Sequence, residues 1–432
     1  MVLAAERGIQ VGPRIDTLTP LREPLEIQKT IEGSIFKILK NQHPVSGLFP
    51  ASDSETLDRT HSYDKAWVRD GSLVAFHLND PYLRKLYPAE TAIGNAIDNA
   101  SIKFVEGVLR MIQKDPWQQG FDQEVIKKQH PFFPQVTYNT LTDTKKAPPI
   151  QSTIEGKASQ WPEQMQPDSW GFFNSTVARV LQQTESVLDS DEQKTLNKMN
   201  DYLLRLEPWK IQCASMWEWG MAHTPTPLST VAAIYKGFQD ILPFASPFMQ
   251  QKMKREIFNM QQHINASYPT DYSTPNGHFS KTDLSTLVVR GTGALDHLPI
   301  STYFLKAKPD LGINSNEPGQ VRYKGDPYHR TTEGEALWIM GTIYKALELA
   351  RMANKSYENG GSLTGNRWNE MARAEIRKVI ELQRQHSIIP ELFERKNGKL
   401  ELPEEGGVND LLWNHAVMAA TLAEIRFADH KS

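Results

Sequence analysis

The stretch Tyr63-Asp64-Lys65-Ala66-Trp67-Val68-Arg69-Asp70 sets a guanidinium and a carboxylate side by side, with two aromatic rings just upstream. Such a pair can hold a planar fork and an acceptor toward one polar ligand, and flat Trp and Tyr faces suit a sugar ring or a base. The plainer reading is a surface ion pair beside a buried tryptophan. Two carboxylates also stand out by their setting. Glu218 lies between Trp217 and Trp219, where apolar neighbours favour a protonated acid. Glu391 lies in Ile389-Pro390-Glu391-Leu392-Phe393-Glu394, again a carboxylate in an apolar frame. One protonated and one ionised carboxyl is the pair that glycosidic-bond cleavage uses. Taken singly, each reads rather as a loop glutamate that caps a helix or pairs with a lysine.

Other chemistries find little support. The chain has no H-E-x-x-H metal motif, no G-x-S-x-G elbow and no P-loop, so neither a metal nor an organic cofactor is called for. Gly291-Thr292-Gly293 lacks the third glycine of a dinucleotide fingerprint and follows no strand. His329 reads as a loop hydrogen-bonder, and the lone Cys213 as a packing residue that cannot close an internal disulfide. The 432 residues are 39% hydrophobic and 23% charged with net charge -3, an ordinary globular composition with material for a sizeable core. That balance gives no footprint for nucleic acid or a membrane surface. No run approaches the roughly 18 apolar residues of a membrane span. Met1 to Arg14 lacks the apolar core of a signal peptide, so the expected setting is reduced and cytoplasmic. Oligomeric state is left open.

Helices must position these groups. Ile27, Ile31, Ile35 and Ile38 recur at helical spacing behind Pro24, which can open the helix. The Tyr63–Asp70 stretch then lies on a loop that enters a second helix. Further helices are expected at 92–113, 169–187, 191–206, 228–242, 247–266 and 367–385, and from Trp413 to about Phe427. Ser190-Asp191-Glu192-Gln193 reads as the capping box of the one at 191–206. Ala336, Met340, Ile343, Leu347 and Ala350 spell one more apolar stripe. Residues 114–168, 207–227, 268–330 and 386–412 read as loops, the first of them long and rich in aromatic residues. The count is ten to a dozen helices with no convincing run of alternating strands. No linker poor in apolar residues divides them. One closed helical array over 24–432 follows, behind an irregular lead-in at 1–23, with the loops rich in Trp, Glu and Asp gathered at one end.

Several of these residues together resemble a known family. Tyr63-x-x-x-Trp67-x-Arg69-Asp70 is similar to the W-x-R-D signature of the glucoamylase-like enzymes, glycoside hydrolase family 15. Gln166-x-Asp168 resembles the family's Q-x-D element, and Trp217-Glu218 its W-E carrying the general acid. Arg322-Tyr323, with Asp326-Pro327-Tyr328 and a helix to follow, resembles its arginine loop and asparagine-proline-aromatic step. Pro390-Glu391-Leu392-Phe393, then Leu411-Leu412-Trp413-Asn414-His415-Ala416, resembles the segment of the catalytic base and the next helix start. The resemblance implies an all-α, single-domain (α/α)6 barrel, a six-hairpin toroid. It implies Glu218 as acid, Glu391 as base activating water, and inversion with release of β-glucose from α-glucans. Arg69, Asp70 and Arg322 would bind the terminal glucose, with Tyr63, Trp67, Trp217, Trp219 and Tyr323 around it. Trp219 departs from the polar residue of many relatives, the loop between Glu391 and Trp413 is longer than usual, and 114–168 has no counterpart. A glucoamylase-like barrel also occurs in the α and β regulatory subunits of phosphorylase kinase, which carry W-V-R-D. Under that resemblance the barrel binds glucan or a partner with turnover lost. An enzyme acting on another α-linked sugar, such as trehalose or isomaltose, is a third reading.

Overall fold

A computed structural model describes residues 24–53, 65–114, 137–139, 166–207, 213, 216–217, 226–271, 283–312, 316–326, 328–403 and 410–431. Among these, the helices are α1 (Pro24–Asn41), α2 (Val68–Leu78), α3 (Pro81–Leu86), α4 (Ala92–Lys114), α5 (Pro167–Thr184), α6 (Ser190–Leu206) and α7 (Leu228–Ile241). They continue with α8 (Pro247–Ser267), α9 (Ser285–Gly291), α10 (Ile300–Leu311), α11 (Ile339–Glu358), α12 (Ser362–His386) and α13 (Leu412–Asp429).

Two kinds of helix are distinguishable by their sequence. In α8 the buried residues form a single stripe, Met249, Met253, Met260 and Ile264, and the rest are half-buried or exposed. In α2 every residue is buried, and α5, α11 and α13 are buried over most of their length. A helix apolar on one stripe covers a core, whereas one buried all round lies inside it. The packing agrees. Helices α2, α5, α7, α9, α11 and α13 each pack on the next, and α13 packs back on α2, so the six close a ring. Helix α1 lies against α13 and α4, α4 against α2 and α5, α8 against α7, and α12 against α11 and α13. Glycines allow the closest approach in the ring. A Cβ on Gly171 of α5 would lie 2.5 Å from the Ala233 carbonyl carbon of α7, and one on Gly237 of α7 would lie 2.4 Å from the Gly171 oxygen.

The structure corrects the sequence reading in three places. Short strands are present. Strand β1 (Lys65–Trp67) pairs antiparallel with β2 (Thr137–Asn139), and β3 (Leu337–Trp338) pairs with β4 (Leu392–Lys396), which pairs with β5 (Lys399–Glu401). The stretch 268–330, expected as loop, contains α9 and α10. The cap of α6 is one residue earlier, with Asp189 accepting from the Asp191 and Glu192 backbone and Glu192 answering from its side chain. The helix expected to follow Tyr328 is α11, entered at Ile339 after a turn. Cys213 is buried, as expected of a packing residue.

Candidate active site

The chemistry-bearing residues are delivered by the starts of the ring helices. Trp67 ends β1 with an extended backbone and serves as N-cap of α2, so Arg69 and Asp70 occupy the first turn. Arg69 Nε donates to Asp70 Oδ1 at 2.9 Å, and its Nη1 donates to Gln166 Oε1 at 3.2 Å and to the Met216 carbonyl. Gln166 is the N-cap residue of α5, and buried Asp168 lies in that helix's first turn. One guanidinium thereby ties the entries of α2 and α5 to the turn that carries Trp217.

Trp217 is buried, and its indole Nε1 donates to Asp283 Oδ1 at 2.8 Å. Asp283 Oδ1 also accepts from the Ser285 backbone at 2.8 Å, which fixes it at the entry of α9. The Trp217 ring lies 6.0 Å, centroid to centroid, from Trp338, the N-cap residue of α11. Between these aromatics is Arg322. Its guanidinium carbon stands 4.1 Å from the Trp338 ring centroid and 5.2 Å from those of Trp217 and Tyr328. Asp326 takes the same guanidinium in a fork, 2.7 Å to Nε and 2.8 Å to Nη2. Tyr323 is buried beside it, its ring 5.7 Å away.

Glu391 is buried and precedes β4. Its backbone carbonyl accepts from Ile339 at the start of α11, 3.0 Å. The residues around it are pinned from the start of α13. Asn414 Nδ2 donates to the Pro390 carbonyl at 3.2 Å, and the Ile389 N–H donates to Asp410 Oδ1 at 3.0 Å. Asp410 is itself buried, 2.7 Å from His415 Nε2 and paired with Lys37 of α1. Along β4, Glu394 lies 2.6 Å from His329 Nδ1 and 3.1 Å from Lys396 Nζ.

Electrostatics follow from burial and from these pairs. Burial lifts the Asp70 carboxyl above its ordinary value, against the charge and hydrogen bond of Arg69. Burial works against the charge of Arg322, yet the paired Asp326 and nearby Glu391 more than offset it, so its pKa lies above the ordinary value. Burial likewise opposes ionisation of Glu394, and the hydrogen bonds from His329 and Lys396 reverse that and leave it below the usual range. The site lies where ring helices begin, the end at which the helix dipole is positive and carboxylates are favoured. A polar, polyhydroxylated ligand would meet fixed acceptors, a caged guanidinium and flat aromatic faces there.

Of the residues singled out in the sequence, Arg69, Asp70, Trp217, Arg322, Tyr323 and Glu391 are drawn into this one cluster, and Trp67 packs half-buried beside it. Tyr63, Glu218 and Trp219 lie outside the described residues, as does Pro327. The sequence reading passed over Asp283, Trp338 and Asp410. Trp338 had a signal, since it stands before α11 as Trp67 stands before α2. Asp283 and Asp410 had none, because Trp217 and Ile389, the site residues they hold, lie 66 and 21 positions away. Among the described residues no group of three or more His, Cys, Asp or Glu could hold a metal ion.

No curated protein matches this chain. Several solved structures share its fold. A glycosidase carrying a glutamate-to-alanine substitution is 17% identical with TM-score 0.64, over 94% of this chain and 99% of that one. A second such glycosidase variant, in complex with glucose, is 16% identical with the same TM-score over 94% and 99% of the two chains. A metal-independent α-mannosidase from Streptococcus pneumoniae, in a non-productive complex with α-1,6-mannobiose, is 10% identical with TM-score 0.56, over 94% and 95%. The family model for glycosyl hydrolases family 15 matches residues 31–368, a span that takes in Arg69, Asp70, Gln166, Trp217, Arg322 and Trp338 and ends before Glu391. The chain therefore belongs to glycosyl hydrolases family 15.

Proposed function

We propose that this chain is an inverting α-glucoside hydrolase that releases β-glucose from the non-reducing ends of α-glucans or maltooligosaccharides. Residues 24–432 then form a single (α/α)6 barrel, in keeping with the closed ring of six helices. The observation that carries the reading is the convergence of Arg69, Asp70, Trp217, Arg322 and Glu391 at the end where the ring helices start. Glucose bound to one structurally similar glycosidase is in keeping with the same substrate class.

In this reading Arg69 and Asp70 hold hydroxyls of the terminal glucose, and Arg322 binds it beside the scissile bond. Glu218, next to Trp217, donates its proton to the glycosidic oxygen as the bond to the anomeric carbon breaks. Glu391 takes a proton from the water that attacks that carbon from the opposite face, so the configuration inverts. The two carboxyls then stand about 6.5–9.5 Å apart to admit the water. Exchange of one proton each with solvent restores the starting state.

Incubation with maltotriose, with the anomers followed by NMR, tests the proposal. β-Glucose is expected first, and Glu218→Gln and Glu391→Gln each lower turnover by about 10²–10⁴-fold or more while sugar still binds. Release of α-glucose first refutes inversion. Turnover equal in wild type and variants refutes the assignment of the acid and base, and sugar binding without any turnover refutes hydrolysis in favour of a regulatory, glucan-binding barrel.

A further inference from the structure

The ring has an opposite end. There an open cavity of about 400 Å³ is lined by residues on, or just beyond, the later parts of all six ring helices, and it shares none of them with the candidate active site. Among the described residues four cationic and four acidic side chains line it, and one of the acids, Glu424, is held protonated at neutral pH by burial and by the nearby Asp80. Two of the cations are partly committed to helix ends: Arg179 Nη1 donates to the Phe76 carbonyl at 3.3 Å and Arg351 Nη1 to the Gly291 carbonyl at 2.9 Å. Arg351 also pairs with Glu424 at 3.3 Å and lies 3.5 Å from Asp80 Oδ2.

Among the described residues, two buried acceptors of the lining make no hydrogen bond within the protein: Asp80 Oδ2, which faces only the Arg351 guanidinium at 3.5 Å, and Asn354 Oδ1. Both residues are almost wholly withdrawn from solvent, at 0% and 2% exposure. Asp80 uses its other oxygen to cap α3 through the Tyr82 N–H at 3.0 Å. The amide of Asn354 has a fixed orientation, because its Nδ2 donates to the Glu424 carbonyl at 3.1 Å and to Glu424 Oε2 at 2.7 Å. A buried polar atom left without a partner costs about 1–3 kcal/mol, so such atoms in a cavity mark where a ligand or water belongs. The two acceptors ask for O–H or N–H groups, while Lys236 and Arg351 on the same wall offer donors. Lys236 is already paired with Asp240 and Arg351 with Asp80, so these cations do not require an anionic ligand, and protonated Glu424 adds a further donor. A hydroxyl both gives and takes hydrogen bonds, and the volume lies within the roughly 300–1,000 Å³ range of small-molecule sites.

We propose that this cavity is a second binding site, distinct from the active site, for a small neutral polyhydroxylated molecule of monosaccharide size, with Asp80 and Asn354 accepting its hydroxyl protons. The proposal does not rest on the hydrolase reading, and it survives if maltotriose is never cleaved.

Calorimetric titration of the full chain with D-glucose tests it, run beside tryptophan fluorescence. Trp217 and Trp338 stand at the active-site end, and among the described residues no tryptophan lines the cavity. Asp70→Asn weakens the site at the first end. Asp80→Asn keeps an α3 cap while removing the charge, and Asn354→Leu removes the second acceptor, with circular dichroism confirming the fold of each. Expected is glucose binding that survives Asp70→Asn without a fluorescence change and falls at least about tenfold, or about 1.4 kcal/mol, in Asp80→Asn or Asn354→Leu. Loss of all binding in a folded Asp70→Asn protein overturns the proposal, and so does binding unchanged in both cavity variants. Displacement of the retained glucose by inorganic phosphate or by choline at matched ionic strength overturns the assignment to a neutral ligand.

Discussion

Replacing Asp410 by Asn tests whether the segment carrying Glu391 is held in place electrostatically. The Asp410 side chain has no solvent exposure and meets three donors: the Ile389 N–H at 3.0 Å, His415 Nε2 at 2.7 Å and Lys37 Nζ. Hydrogen bonds to a charged group contribute about 1.5–3 kcal/mol each, and breaking a buried ion pair costs about 3–5 kcal/mol. Asparagine keeps one acceptor of the same shape, so part of this is retained. The expected loss is about 2–4 kcal/mol at pH 7, read from urea midpoints with unchanged m-value. The pH dependence has a definite sign. Burial opposes ionisation of Asp410, but His415, Lys37 and the Ile389 N–H overcome it and hold the carboxyl below its ordinary 3.8. Its contribution is therefore fully present above about that ordinary value and is lost as pH falls through the lower folded value. The gap between wild type and variant must narrow on acidification below pH 4. Ile389 lies two residues before Glu391, so the variant should also lose maltotriose turnover more than maltotriose affinity. A loss at pH 7 under about 0.5 kcal/mol, within the scatter of ordinary surface substitutions, or a gap that widens in acid, would refute the reasoning.

Two further substitutions probe the ring. Gly171→Ala drives a methyl into the Ala233 backbone and should cost about 1–3 kcal/mol by overpacking, whereas Gly33→Ala in α1, where nothing lies within 4 Å, should be neutral or stabilising; thermal unfolding followed by circular dichroism separates them. Glu424 is lifted from 4.5 to about 8, first by burial and then by the carboxylate of Asp80, against Arg351. A raised folded pKa means stability that is fully present below the ordinary value and declines as pH rises toward 8, by at most about 1.4 kcal/mol per pH unit. Glu424→Gln should flatten that decline in urea titrations between pH 5 and 8, and an unchanged slope would count against it.

Much of the helical frame is legible in the chain because burial on one face leaves a period of 3.6. The isoleucines of α1 and the stripe of α11 announce themselves in this way. Helices α9 and α10 do not. Residues of α9 are buried on every side over seven positions, and Thr286-Leu287-Val288-Val289 reads as well for a strand. The β4–β5 hairpin did carry a local signal, Asn397-Gly398, whose φ values of 53° and 70° suit the tight turn such a pair favours. Strands β1 and β2 carried none, since their pairing joins residues some seventy positions apart. The site shows the same division. Arg69 and Asp70 are legible because they are neighbours in sequence, while Trp217 with Asp283, and Ile389 with Asp410, meet only once the ring has formed.

Closure of that ring depends on α13, which packs on α2, α11 and α1. During synthesis a nascent chain can assemble the first five ring helices, yet their inward faces have no final neighbour until the segment ending at Asp429 leaves the ribosome. The seam is thus sealed last, by contacts between residues nearly four hundred apart, such as His415 with Ser34. A polypeptide of this design spends its synthesis as an open horseshoe with exposed apolar flanks, which makes cellular holding factors more consequential for its yield than for a protein built of local hairpins.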